Sequence, residues 1–262
     1  MQKVKKIIVY PIKSLGGIEV ESALAIVKGF KNDRRWMLVD SQGKFQTQRE
    51  LSKLALFKTR FEKRGIVVSH NGQEILVQFG LNSKIVRDVN VFEHELKTQE
   101  VSSEINNWFS NQLDKKVQLV TMTDISDRVK SFKKPPYKTF VSLADGYPYL
   151  ILGTASLDNL NSKLDQPIKH DRFRTNIYLE TTDPHSEDDL ESIQIGGAQF
   201  KVVKACARCN VTTINQQTSE VGKEPLKTLA TYRKIDHKIY FGANMILEKS
   251  GLVSLGDSVI SI

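Results

Sequence analysis

The residues of greatest chemical interest in this chain are two cysteines three positions apart, in Lys204-Ala205-Cys206-Ala207-Arg208-Cys209. A C-x-x-C segment can serve three chemistries. As half of a zinc site it needs partners elsewhere, yet the five histidines (His70, His94, His170, His185, His237) show no H-x3–5-H pairing. As a thioredoxin-type redox pair it places its first cysteine at a helix N-terminus. Here the residues that follow, Val211, Thr212, Thr213 and Ile214, open helices poorly and suit a strand. The third chemistry is that of a single thiolate on a loop between strands. Arg208 precedes Cys209 and Lys204 lies two residues before Cys206, and nearby cations favour the thiolate, the form that attacks electrophiles and binds soft metals. Against it stands the ordinary alternative, two cysteines packed as small hydrophobes. Spacing and charge leave both open.

The elements that must position this segment read mostly as strands. Residues 6–10, 18–27, 36–39, 66–69, 74–79 and 85–92 are short runs rich in β-branched or aromatic side chains, separated by turn residues. Asn71-Gly72 between two such runs is a hairpin signal, because both central residues of a type I′ turn need positive φ. A helix is expected over 104–113, capped by Ser102 or Ser103, and a second over 155–164 with Thr154 as its cap. Strands are expected again at 175–179, 192–195, 199–204, 211–214, 240–247 and 258–262. The basic, proline-bearing residues 131–137 read as a loop, and Glu187-Asp188-Asp189 as a solvated one. The expected class is mainly β with a few helices.

Composition excludes several functions. The chain has 262 residues, 40% hydrophobic and 26% charged, enough for a sizeable core and one large or two joined domains. Two cysteines exclude a disulfide scaffold, a four-cysteine zinc site and an iron–sulfur cluster held wholly by this chain's cysteines. No apolar run approaches the ~20 residues of a bilayer span. The opening MQKVKKIIVYPIKS lacks the apolar core and cleavage site of a secretory signal, so an intracellular, cytoplasmic protein is expected. The net charge of +8 favours anionic partners. Nucleic acid is not expected among them, since there is no reading-head motif and no concentrated basic helix.

Several segments together resemble a known family. Tyr10-Pro11-Ile12-Lys13-Ser14, residues 33–40 (DRRWMLVD) and Thr47-Gln48-Arg49 are similar to the N-terminal β-barrel domain that precedes MOSC domains. Asp145-Gly146-Tyr147-Pro148, residues 172–176 (RFRTN), Cys206-Ala207-Arg208-Cys209, residues 223–229 (KEPLKTL) and Leu255-Gly256-Asp257 resemble the MOSC domain itself. The resemblance runs through nearly the whole chain in order. It implies an N-terminal β-barrel-like domain, near residues 1–100, packed on a MOSC β-barrel domain, near 101–262, with a cofactor in the cleft between them.

The same resemblance, to the amidoxime-reducing branch of the family and its bacterial relatives, implies a mononuclear molybdenum enzyme carrying Mo-molybdopterin. Such an enzyme reduces small N-hydroxylated compounds, amidoximes and N-hydroxylated bases. One cysteine of the protein binds the metal, and it falls on Cys209, with Cys206 as a packed neighbour or reserve thiol. The pterin and its phosphate call for cations and neutral donors, which Lys13, Arg34, Arg174 and Arg208, and Ser14 and Asn176, can supply. Gly146 and Tyr147 sit at a turn that backbone contacts to the pterin would use. Some relatives carry a ferredoxin domain and others a membrane anchor. Without either, electrons are expected from a separate protein, a flavin reductase with a haem or iron–sulfur carrier. A non-catalytic carrier of the cofactor or of sulfur, using Cys209, is the alternative from a different class.

Overall fold

Three apolar cores organise the part of the protein that matters for its chemistry, and the chain crosses between them at the places where the cleft residues lie. The computed structural model describes residues 2–123, 126, 128–133 and 136–262. Its largest sheet has the order Ile18–Val20, Lys3–Val9, Ile177–Glu180, Tyr149–Gly153, Lys238–Lys249, Ala198–Ala207, Ser192–Ile195, Val259–Ser261, with Lys234–Ile235 added beside Lys238–Lys249. In it Tyr149–Gly153 runs parallel to Ile177–Glu180, the two joined through the helix Thr154–Asn161. A second sheet pairs Trp36–Val39, Gln118–Thr121, His94–Glu100 and Val86–Val91. Two three-stranded sheets complete the layers, Gly251–Ser254 with Ser22–Ile26 and Gly29–Phe30, and Lys58–Glu62 with Gly65–His70 and Gln73–Gln78. The class is mainly β, with short helices, as the strand patterns imply.

The first core lies under the large sheet, where Phe30, Tyr149 and Phe200 meet edge to face with ring centroids 5.2 and 5.0 Å apart. The second packs Ile12, Leu15, Trp36, Phe57 and Ile66 against Ile105 and Phe109 of the helix Ser103–Leu113. The third holds Met37, Val39, Val89 and Leu143. Each fully buried Leu, Ile or Phe contributes about 1.5–3 kcal/mol, so these cores fix where the chain must pass. Residues 10–15 run from Val9 in the first core to Ile12 and Leu15 in the second and carry Lys13 and Ser14. Residues 31–35 run from Phe30 to Trp36 and carry Asp33 and Arg34. Residues 144–148 run from Leu143 to Tyr149 and carry Asp145, Gly146 and Tyr147. The opening strand thus belongs to the sheet of the second half of the chain, while the helix Ser103–Leu113 packs with the first half.

Local signals account for many of the boundaries. Ser102 caps the first helix, its hydroxyl accepting from Ile105 N at 3.2 Å. Asn71 and Gly72 have φ of 49° and 74° and close the hairpin that pairs His70 with Gln73. Four expectations are corrected. The second helix starts at Thr154 with Gly153 at its cap position and ends at Asn161; the Thr154 hydroxyl accepts instead from Thr181 N at 3.0 Å. Residues 211–214 are not a strand, since Asn210–Thr213 is a 3-10 turn. The Thr212 and Thr213 hydroxyls donate to the carbonyls of Cys209 and Asn210, at 3.0 and 2.8 Å, a local bonding that overrides the strand preference of β-branched residues. Much of 131–137 is strand, Val129–Lys133 pairing antiparallel with Pro136–Phe140; Lys134 and Pro135 lie outside the described residues. Glu187 is not in a solvated loop. It is fully buried in the 3-10 turn Ser186–Asp188, accepting from Ser156 Oγ at 2.7 Å, and burial pushes its carboxyl pKa up.

Candidate functional site

Where the crossing segments meet residues 172–176 and 204–212, they enclose a cleft of about 390 Å³. All nine residues singled out in the sequence line it: Lys13, Ser14, Arg34, Gly146, Tyr147, Arg174, Asn176, Arg208 and Cys209. Among the described residues eight cations line it, the others being Arg49, Lys130, Arg172 and Lys204, against one carboxylate, Asp145. Such an excess in a concave wall focuses positive potential and favours an anionic occupant.

Cys209 is exposed, at the cap position of the 3-10 turn, while Cys206 is half-buried near the end of the strand Ala198–Ala207. The cation at the Cys209 thiol is not its sequence neighbour. Arg208 spends Nε on the carbonyl of Phe241 at 2.7 Å and Nη1 on that of Phe173 at 3.0 Å. Arg49 takes its place, with Nη2 at 3.7 Å from Cys209 Sγ and 2.5 Å from Asp145 Oδ2. Its signal in the sequence was membership of Thr47-Gln48-Arg49, 160 positions away, which no local rule connects to a cysteine. Gln48 makes the connection. Its amide exchanges two hydrogen bonds with that of Gln216, at 3.1 and 3.0 Å, and donates to the Ser14 carbonyl at 2.7 Å. This buried clamp ties the Arg49 loop to the segment that follows Cys209.

Asp145 joins Arg49 to Lys13, whose ammonium also donates to the Leu143 carbonyl at 2.8 Å. Burial lowers the Lys13 pKa against the pull of Asp145. For Asp145, burial acts to raise the pKa, but Lys13 and Arg49 outweigh it and hold the carboxyl well below the usual carboxylate range. The sign follows: a depressed folded pKa stabilises the fold above the unfolded value of about 4 and loses that contribution only as pH falls through the lower folded value. The expected outcome of a carbon-13 carboxyl titration is that Asp145 shows no midpoint near pH ~4, and a midpoint there would break the proposed bridge. Asp145→Asn should remove the acid-range stability difference.

Arg34 and Arg174 hold Tyr10 between them, each guanidinium carbon 4.4 Å from the ring centroid. Burial pushes the Tyr10 hydroxyl pKa up to about 12, despite the two cations. Burial also lowers the Arg174 pKa to about 10, which leaves it charged at neutral pH. Arg34 donates to Asp33 Oδ2 at 2.5 Å, Asn176 Oδ1 at 3.0 Å and the Arg174 carbonyl at 3.1 Å. Asn176 completes the set by donating to Asp33 Oδ1 at 3.2 Å and the Ile8 carbonyl at 3.1 Å. Asn176 is therefore spent on positioning Arg34. Ser14, Arg34 and Arg174 have φ of 70°, 48° and 53°, a left-handed backbone that costs about 1–2 kcal/mol for a non-glycine residue and concentrates at functional sites. Gly17 gives Tyr10 its place, since a Cβ there would lie 2.5 Å from the ring.

Elsewhere in the cleft Lys130 and Lys204 both approach the Tyr147 ring, their ammonium nitrogens 5.7 and 5.4 Å from its centroid. Burial and the neighbouring Cys206 raise the Tyr147 pKa to about 12. Lys204 was noted in the sequence only as a cation near Cys206, and Lys130 is one among 38 basic residues.

A mainly β chain whose crossing segments frame a basic cleft with an exposed thiol defines a recognisable class of protein. Residues 1–116 match the MOSC N-terminal beta barrel domain and residues 138–260 the MOSC domain. The chain belongs to the MOSC family. It is 32% identical over 276 residues to mitochondrial amidoxime-reducing component 1 of Danio rerio, covering 99% of this chain and 84% of that one. The protein of the same name in Xenopus laevis is 29% identical over 282 residues, covering 99% of this chain and 82% of that one. Molybdenum cofactor sulfurase of Oryza sativa subsp. japonica is 29% identical over 91% of this chain, which spans only 32% of that protein.

Proposed function

We propose that the protein is a molybdenum-cofactor-dependent oxidoreductase that reduces N-hydroxylated compounds, with Cys209 as the protein's ligand to the metal. The observation that carries this reading is the exposed Cys209 thiol, 3.7 Å from Arg49, in a cleft where, among the described residues, eight cations face one carboxylate. The names of the amidoxime-reducing relatives support it.

The residues present fit the cofactor. Arg174 and Arg208 each keep a buried Nη2 without a hydrogen-bond partner. A buried donor left so costs about 1–3 kcal/mol, and a phosphate or heterocycle edge would satisfy both. Among the described residues no three His, Cys, Asp or Glu side chains converge as a metal site. The cleft therefore offers a metal one thiol and a field of cations, a donor set suited to a metal already chelated by an anionic pterin dithiolene. Lys13, Ser14, Arg34, Arg174, Arg208 and the backbone of Gly146 and Tyr147 would hold the pterin and phosphate, with Asn176 positioning Arg34. When bound, the group supplies two-electron redox chemistry: an N–O bond breaks, two electrons and two protons are consumed, and the oxygen leaves as water.

The chain's own residues set the conditions. Arg49 donates to the Cys209 sulfur at 3.7 Å and is held in place by Asp145 and by the Gln48–Gln216 clamp. Asp145 stays ionised at neutral pH and so is not the proton source. Tyr147, with its raised pKa, keeps its proton there. Electrons would come from a separate flavin reductase with a haem or iron–sulfur carrier, whose acidic face the net charge of +8 would suit. A carrier of cofactor or sulfur through the same thiol is favoured by the match to molybdenum cofactor sulfurase. Benzamidoxime with an artificial electron donor separates the two: the reductase releases benzamidine over many turnovers, and a carrier does not.

A further inference from the structure

Lys130 and Lys204 differ from the other six cations of the cleft. Lys13, Arg34, Arg49, Arg172, Arg174 and Arg208 are each bonded to a carboxylate or a backbone carbonyl. Among the described residues, Lys130 and Lys204 make no hydrogen bond or ion pair, and their contact is with the ring of Tyr147. Burial, Arg128 and Lys204 act to lower the Lys130 pKa against the pull of Asp145 and Glu93, so the two ammonium groups beside the ring repel each other. An oxyanion bound beside the ring would relieve that repulsion and gain charge-assisted contacts from the two ammonium groups. The ring supplies an apolar surface for the rest of the molecule.

We propose that Lys130, Lys204 and Tyr147 form a subsite for an oxyanion carried by the substrate, so that acidic N-hydroxylated compounds, carboxylates or phosphate monoesters, are the preferred class. The substrate part of this proposal rests on the reductase reading; the oxyanion site does not. Lys204 is exposed and Lys130 half-buried, so the preference is of the size that partly solvated pairs give.

The test measures calorimetric binding and kcat/KM for benzamidoxime, its 4-carboxy derivative and its 4-phosphate ester with cofactor-loaded protein. The acidic compounds should bind about tenfold more tightly than benzamidoxime, the two acids telling carboxylate from phosphate preference. In Lys130→Gln/Lys204→Gln the advantage should fall to about twofold or less, with molybdenum content retained; Lys204→Gln alone, at an exposed position, should remove part of it. Equal affinities in the native protein, an advantage that survives the double substitution, or loss of molybdenum in the variant would each overturn the proposal. Lysine-dependent binding of the acids with no reduction of any compound would keep the oxyanion site and sink the reductase reading.

Discussion

Replacing Cys209 by alanine is expected to lower N-hydroxyl reduction by more than about 100-fold, because even residues that only orient a metal's ligands cost about 10–100-fold when lost. The fold should not change. Cys209 is exposed, its sulfur touches Arg49 at 3.7 Å, and the carbonyl that closes the 3-10 turn is backbone. Exposed substitutions of this kind stay within about 0.5 kcal/mol in stability. Urea unfolding checks the second half and turnover the first. Cys206→Ala is the control and should keep most of the activity, since the cation at the thiol is positioned on Cys209. Native-like turnover in a folded Cys209→Ala protein would remove the thiol from the chemistry.

The largest expected effect on stability comes from Asp33. It is fully buried and accepts from the Tyr10 amide at 2.8 Å, Asn176 Nδ2 at 3.2 Å and Arg34 Nη1 at 2.5 Å. Asp33→Ala strands the Arg34 guanidinium, whose side chain is only 12% exposed, without its counter-charge. Breaking a buried pair by removing one partner costs about 3–5 kcal/mol. The loss should appear as a lower urea midpoint at unchanged slope, and the freed Arg34 and Tyr10 should weaken cofactor retention as well. A loss below about 1 kcal/mol would mean that the pair is solvated and does not organise the cleft.

The sequence was most readable where one residue type has one local use. Asn71-Gly72 fixes a turn through two positive φ values, and Ser102 caps a helix through one hydroxyl. It was least readable where a side chain has two uses. Thr212 and Thr213 are good strand residues, but their hydroxyls bond carbonyls three positions back and hold a 3-10 turn. Glu187 belongs to an acidic run, yet Ser156 gives it a buried partner. The nine site residues came from motif resemblance and do share one cleft. Arg49 and Lys130 could not be separated from other surface cations without knowing which crossings meet. Arg208 shows the converse: adjacent in sequence to Cys209, it turns to the carbonyls of Phe173 and Phe241.

The most direct test of the central claim is metal content, with molybdenum and zinc measured by mass spectrometry on protein purified from a host that makes molybdenum cofactor, beside Cys209→Ser. The account predicts near-stoichiometric molybdenum in the native protein, little zinc, and a sharp fall in molybdenum in the variant. Absence of molybdenum, even after cofactor is added to the folded protein, would contradict it, as would molybdenum held equally by both proteins.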